Sequence, residues 1–113
     1  MKAFRLFLIL VTIGIFSITL TVGITHGWNL IPVFLNNILE LNWSGQFNFD
    51  FLCYLILSGL WIAWRNNFSG FGILLGVIAS IAGILFFAPY LLIESFRANG
   101  DIKILLLGKS EEK

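Results

Sequence analysis

The sequence predicts an all-α integral membrane bundle of three transmembrane helices plus one short amphipathic interfacial helix, in a single membrane domain over residues 1–113. Three observations predict it. First, of the 113 residues 58% are hydrophobic and only 12% charged, with a mean hydropathy of +0.94. A soluble domain is ~25% charged, and a chain this short has too much surface for its volume to hide so many apolar side chains from water. Second, residues 6–24 (LFLILVTIGIFSITLTVGI) and 71–93 (FGILLGVIASIAGILFFAPYLLI) carry no charge at all. Each matches the ~20 residues needed to cross a hydrocarbon core. Third, the uncharged run 51–64 becomes long enough to cross if it is counted from Phe47.

The elements follow in order. The first span covers about residues 4–24, with Lys2 and Arg5 preceding its uncharged run from Leu6. A secretory signal peptide is the rival reading. This run is longer than the ~7–15 residues of a signal core and no A-x-A site follows it, so a retained helix is predicted. Residues 30–41 read as an amphipathic helix. Asn29 is placed to cap it, and Pro32 falls in its first turn, where a missing N–H costs nothing. Leu30, Ile31, Phe34, Leu35, Ile38 and Leu41 share one face, and Asn29, Asn36, Asn37 and Glu40 the other. Trp28 and Trp43 flank it as headgroup-level residues. Its polar face has no Lys or Arg to draw it to anionic lipid, so a lid lying across the ends of the spans is expected.

The second span, 47–65, brings Asp50 into its first turn, where Asn48 or Asp50 can cap it and the helix dipole tolerates an acid. The third, 71–97, carries Pro89, which deprives the Leu85 carbonyl of its helical donor and predicts a kink. Asn99 and Gly100 are a natural stop. In the tail, 100–113, the apolar run 102–107 is too short to cross. A strand, a surface helix and a contact for another chain all remain open for it, and the final KSEEK is expected to fray.

Three spans place the termini on opposite sides. Lys2, Arg5 and Arg65 then share one side, and Arg97, Lys103, Lys109 and Lys113 lie on the other. Counting positive charges is nearly balanced, so the first helix decides, giving a cytoplasmic N-terminus and an outward lid.

Candidate functional residues are few. At ~100° per residue, Asp50, Tyr54, Ser58, Trp61 and Arg65 fall in one ~80° sector of the second span. Lipid penalises such a sector, so it is expected to face the other helices. It serves either as interhelical hydrogen bonding and interfacial anchoring or as the polar lining for an ion, a proton or a small ligand. Gly14, Ser17, Thr21 and Thr25 in the first span, and Gly72, Gly76 and Ser80 with Ala79 and Gly83 in the third, are spaced for close backbone approach within one chain or between chains. His26 is the only histidine. It can be an axial haem ligand, but without further ligands it reads as an interfacial side chain. The only cysteine, Cys53, excludes an internal disulfide and lacks the basic neighbours that activate a thiol. No G-x-S-x-G elbow occurs, and GFGILLG lacks the lysine of a phosphate-binding loop. Glu94 and Arg97, one turn apart, pair most simply at the surface. No metal site or cofactor is predicted. The net charge of +1 gives no basic stripe for nucleic acid.

The segments HGWNL, FNFDFLCYLILSGLWIAWR and SFRANGDIKILLLGK together resemble a group of small bacterial membrane proteins of unassigned function. That resemblance implies a multi-pass inner-membrane protein and carries over no catalytic or binding residue. The chain is unlike the small multidrug transporters, which have four spans and a membrane-embedded glutamate in the first. The sequence therefore predicts a non-enzymatic accessory or structural subunit, or a homo-oligomer, whose partners are the lipid bilayer and either another membrane protein or its own copies. The alternative is a small transport or ligand-binding module using the Asp50 stripe beneath the lid.

Overall fold

The structure, a computed structural model, describes residues 1–108; the KSEEK segment expected to fray lies outside them. Six helices follow one another, with no strand among the described residues: α1 (Lys2–His26), α2 (Leu30–Leu39), α3 (Trp43–Arg65), α4 (Gly70–Ala82), α5 (Ile84–Arg97) and α6 (Ile102–Leu107).

α1 and α3 are long and apolar enough to cross a membrane; at ~1.5 Å per residue they are roughly 37 and 34 Å long. In the most apolar 18-residue window of each, only 11% and 22% of residues are buried. The core helix of a soluble protein would be mostly buried. α3 starts four residues earlier than the sequence suggests because Asn42 caps it, its side chain accepting from the Gly45 N–H at 2.9 Å. Asn48 and Asp50 are therefore not caps. The Asn48 side chain donates instead to the Phe34 carbonyl, at 3.3 Å.

α2 forms as expected, although the Asn29 side chain does not cap it. It does not lie across the ends of both long helices. It runs back along the start of α3, where Gly45 sits against the Asn37 and Ile38 backbone. Phe34, Asn37 and Ile38 make that contact half-buried, while Leu30, Ile31, Leu35 and Leu39 stay exposed.

The third predicted span is two helices, not one. The chain reverses at Gly83, six residues before Pro89, through φ +66° and ψ −142°. A side chain strains such a backbone and glycine does not. Contacts with α3 trace the reversal. Along α4, Gly72 lies by Asn66, Gly76 by Gly59, and the Ser80 hydroxyl donates to the Leu55 carbonyl at 3.2 Å. Gly83 reaches Leu55 and Phe51, each 3.1 Å from where a Cβ would stand. Along α5 the order runs back: Phe87 packs edge-on against Trp61 with ring centroids 5.7 Å apart, and Tyr90 and Glu94 meet Arg65. α4 and α5 thus form a helical hairpin whose tip stands beside the middle of α3. α1 runs antiparallel to α5, with Arg5 beside Ser95, and Gly100 lies near Met1. Met1 and the described end of the tail share one end of the molecule, where three full-length spans would have put them at opposite ends.

Small residues build the interior. Ile62, Ala79 and Tyr90 form the central cluster, with Trp61, Leu75, Phe86 and Phe87 packed around it. The stripe Gly72, Gly76, Ala79 and Ser80 is spent within the chain, against α3. A Cβ on Gly76 would come within 2.5 Å of the Gly59 carbonyl oxygen, whereas one on Gly14 of α1 would meet nothing within 4 Å. Gly76→Val should therefore force α3 and α4 apart and cost ~1–3 kcal/mol, lowering the thermal midpoint of the purified protein in detergent. Gly14→Ala should leave that midpoint unchanged or raise it slightly, since alanine favours the helix.

Candidate functional site

The side chains that do converge lie at the end shared by the termini. α3 ends on Arg65, which is buried at 6% exposure, as is Glu94 at 8%. The Arg65 guanidinium donates through Nη2 to Glu94 Oε2 at 3.1 Å and through Nη1 to the Tyr90 hydroxyl oxygen at 3.3 Å. Its Nε donates to the Leu105 carbonyl at 2.6 Å, and Nη2 also reaches the Ile104 carbonyl at 3.4 Å. The other Glu94 oxygen accepts from Arg97 Nη1 at 3.1 Å. Asn66, just past α3, donates to the Tyr90 hydroxyl oxygen at 3.1 Å and to the Ile62 carbonyl at 2.8 Å. Beside this node Arg5 donates to the Ser95 hydroxyl at 3.1 Å and carbonyl at 3.0 Å, with its guanidinium 4.0 Å from the Phe96 ring centroid.

Local sequence makes the node. Tyr90 and Glu94 are four residues apart on α5, so both reach the same side of it. Asn99 (φ 53°) and Gly100 (φ 77°) turn the chain after α5, close to the predicted stop. Asp101 caps α6, accepting from the Lys103 and Ile104 N–H groups at 2.9 and 3.3 Å. The run left open in the sequence is thus a short helix, and its carbonyls are what Arg65 takes. A cavity of about 220 Å³ borders the node, lined among others by Arg65, Asn66, Glu94 and Arg97.

The predicted stripe does not act as a unit. Arg65 is in the node, and Trp61 and Ser58 are half-buried, the Ser58 hydroxyl donating to the Leu55 carbonyl of its own helix at 2.8 Å. Tyr54 is 67% exposed. Asp50 is exposed and makes no hydrogen bond or ion pair among the described residues. The buried face of α3 is Leu55, Gly59, Ile62 and Ala63, centred about 125° round the helix from the stripe. Gly59 and Ala63 therefore face α4, and Ile56 and Leu60 are exposed. His26 closes α1 in an exposed position, and no group of three or more His, Cys, Asp or Glu able to hold a metal occurs among the described residues.

Sequence reasoning missed the partnership of Arg65 with Glu94, having placed Glu94 on the surface with Arg97. The Glu94–Arg97 pair exists, but Arg97 is its exposed member, at 57% of its side chain. A signal was available: an acid following YLLI and a base ending an apolar run are both costly at a hydrocarbon edge unless they meet. No protein-family model matches the chain, no curated protein matches its sequence and no solved structure matches its fold.

Removing one member of a buried pair strands the other charge, at a cost of ~3–5 kcal/mol. Glu94→Ala should therefore markedly lower the thermal or denaturant midpoint in detergent. Asp50→Asn, at an exposed site without partners, should leave the midpoint where it is. Equal behaviour of the two variants would contradict the node as described.

Proposed function

We propose that this chain is a small multi-pass integral membrane protein that crosses the bilayer twice, through α1 and α3. The α4–α5 hairpin dips in from the side of the termini and returns to it. The bacterial inner membrane is its location, following the resemblance of its HGWNL, FNFDFLCYLILSGLWIAWR and SFRANGDIKILLLGK segments. Its role is non-enzymatic: an accessory or structural subunit, or a homo-oligomer, that works by packing helices against a partner.

One observation carries the reading. Two long helices are wrapped in exposed apolar side chains, among them Leu10, Ile18, Leu20, Ile56, Leu57 and Leu60, and the hairpin gathers the positive charge at one end of them. Lys2, Arg5, Arg65, Arg97 and Lys103 all lie at that end, and the segment from α2 to Asp50 holds no Lys or Arg. Lipid accounts for the apolar belt, and the positive-inside bias then puts the basic end in the cytoplasm. A surface for a partner helix remains on α1. Ser17, Thr21 and Thr25 are exposed there, their hydroxyls donating to carbonyls one turn back at 2.7–2.9 Å, and Gly14 has open space above it.

Reporter fusions test the topology. A cytoplasmic reporter should be active after Lys113 and an external one after Leu41. External activity after Lys113 would mean three crossings, and recovery of the protein in the soluble fraction would remove the membrane reading altogether.

A further inference from the structure

The cavity of about 220 Å³ beside Arg65 differs from the hollows along the middle of α3. Those have almost wholly apolar walls. This one is walled more by polar than by apolar surface, and Arg65, Arg97, Asn66, Asn67 and Glu94 line it. Charge is not balanced there. Glu94 is one carboxylate between two guanidiniums: Oε2 takes Arg65 and Oε1 takes Arg97, each at 3.1 Å. The surplus charge rests on Arg97, whose side chain is 57% exposed. Arg97 meets Glu94 through Nη1 alone, and its Nε and Nη2 groups make no hydrogen bond among the described residues. One edge of that guanidinium therefore keeps two parallel N–H donors, the fork that grips an oxyanion through two bonds.

A second donor faces the same space. The Asn67 side-chain amide lines the cavity and makes no hydrogen bond among the described residues. Asn66 is different, for both its amide N–H groups are spent, on the Ile62 carbonyl and the Tyr90 hydroxyl. The helix-end carbonyls nearby do not claim the Arg97 fork. Those of Glu94, Ser95 and Phe96 take the N–H groups of Ala98, Gly100 and Asn99, and those of Ile104 and Leu105 take Arg65. The wider field has the same sign. Lys2, Arg5, Arg65, Arg97 and Lys103 stand at this end against Glu94 and Asp101 among the described residues.

We propose that this cavity binds a phosphate group, gripped by the free edge of Arg97 and by the Asn67 amide. Buried Arg65 cancels the charge of Glu94, so that carboxylate does not repel the incoming anion. A phosphate offers a third oxygen to Asn67 while the fork holds two; a carboxylate has only the two. An anionic phospholipid headgroup and a soluble phosphate present this same chemistry. On the two-crossing reading Arg65 ends α3 at headgroup level, where basic pockets between helices on the cytoplasmic side collect anionic lipids. The lipid source rests on that reading, and the phosphate site does not.

Titration of the full chain, purified in a neutral phosphate-free detergent, tests this. One arm adds phosphatidylglycerol to the micelles and the other adds inorganic phosphate, with acetate at equal ionic strength as the control. Binding is read from the rise in thermal midpoint and, for the lipid, from native mass spectrometry. Saturation at one phosphate group per chain is expected, and the arm that saturates identifies the source. Arg97→Gln should weaken that binding about tenfold, and Arg97→Lys, which keeps the charge without the fork, nearly as much. Asn67→Gly should weaken it about threefold; it removes the amide where the backbone is left-handed, at φ 61°, a conformation glycine accepts. Lys2→Gln, which removes a charge from the same end but outside the cavity, should leave it unchanged. Arg97 and Asn67 are both exposed, and the ligand-free midpoint of each variant checks its fold. No saturable binding in either arm would overturn the proposal. So would equal binding of acetate, or a Lys2→Gln loss as large as that of Arg97→Gln, which would mean diffuse attraction to a basic end. None of these results moves the reporter-defined topology. Were the protein recovered as soluble, the inorganic phosphate arm would run unchanged in buffer, so the two readings fail separately.

Discussion

A guanidinium does not give up its charge in a protein, and α3 ends by burying one. That constraint organises the rest of the molecule. Arg65 must be met by an anion and by enough acceptors to replace water, and the chain brings Glu94 and Tyr90 from α5 and two carbonyls from α6 to do it. α4 leaves from that same end, just past Asn66. Residues 70–97 must therefore travel out and come back, which leaves each leg 13 or 14 residues, or roughly 20 Å. A leg that short reaches the middle of α3 and no further. One buried pairing thus keeps residues 70–97 from running on as a single helix and sets how far the hairpin reaches along α3.

The return is possible because glycine stands where two backbones must nearly touch. Gly59 on α3 faces Gly76 on α4, and the Ser80 hydroxyl, adjoining Gly59, ties the two helices by donating to the Leu55 carbonyl. Such contacts, and not apolar burial, hold helices together where the surroundings are as apolar as the side chains. The buried set agrees, for alanine supplies four of the nine buried hydrophobic residues: Ala63, Ala79, Ala88 and Ala98. Large apolar side chains go mostly to the outside.

This division explains what the sequence could and could not reveal. Runs of apolar residues mark α1 and α3 within a few residues, because their length and lack of charge are properties of the run alone. The apolar run 71–97 does not reveal its reversal, because hydropathy is the same whether a segment crosses once or doubles back. Pro89 pointed to a kink, but it lies inside α5, and the break comes six residues earlier. Gly83, among other small residues, reads as one more packing position until its positive φ is seen. The polar stripe misled for a related reason. Its polar residues were taken to mark the inner face, but Gly59 and Ala63, about 125° away, let α4 come close, and closeness decided. Arg65 is the exception because α5 and α6 wrap round that end of α3. The two charges at 65 and 94 held the missing information, since three crossings would strand them on opposite sides of the membrane.

The reversal also changes what the charges imply. With three crossings, Arg97 and the tail lysines oppose Lys2, Arg5 and Arg65, and the bias that orients membrane helices nearly cancels. With the hairpin, Arg97 and Lys103 join the N-terminal cations, and the far end is left with His26, Glu40 and Asp50 as its titratable groups among the described residues. On the proposed two crossings, the orientation no longer leans on the first helix. The same turn that concentrates charge at one end leaves an uncapped break in hydrogen bonding at the other end of the hairpin. The two are consequences of one geometry. A chain held at both ends by Arg65 has to turn somewhere in the bundle, and wherever a helix ladder stops, its unpaired N–H and carbonyl groups have to be met by side chains, water or a neighbouring chain.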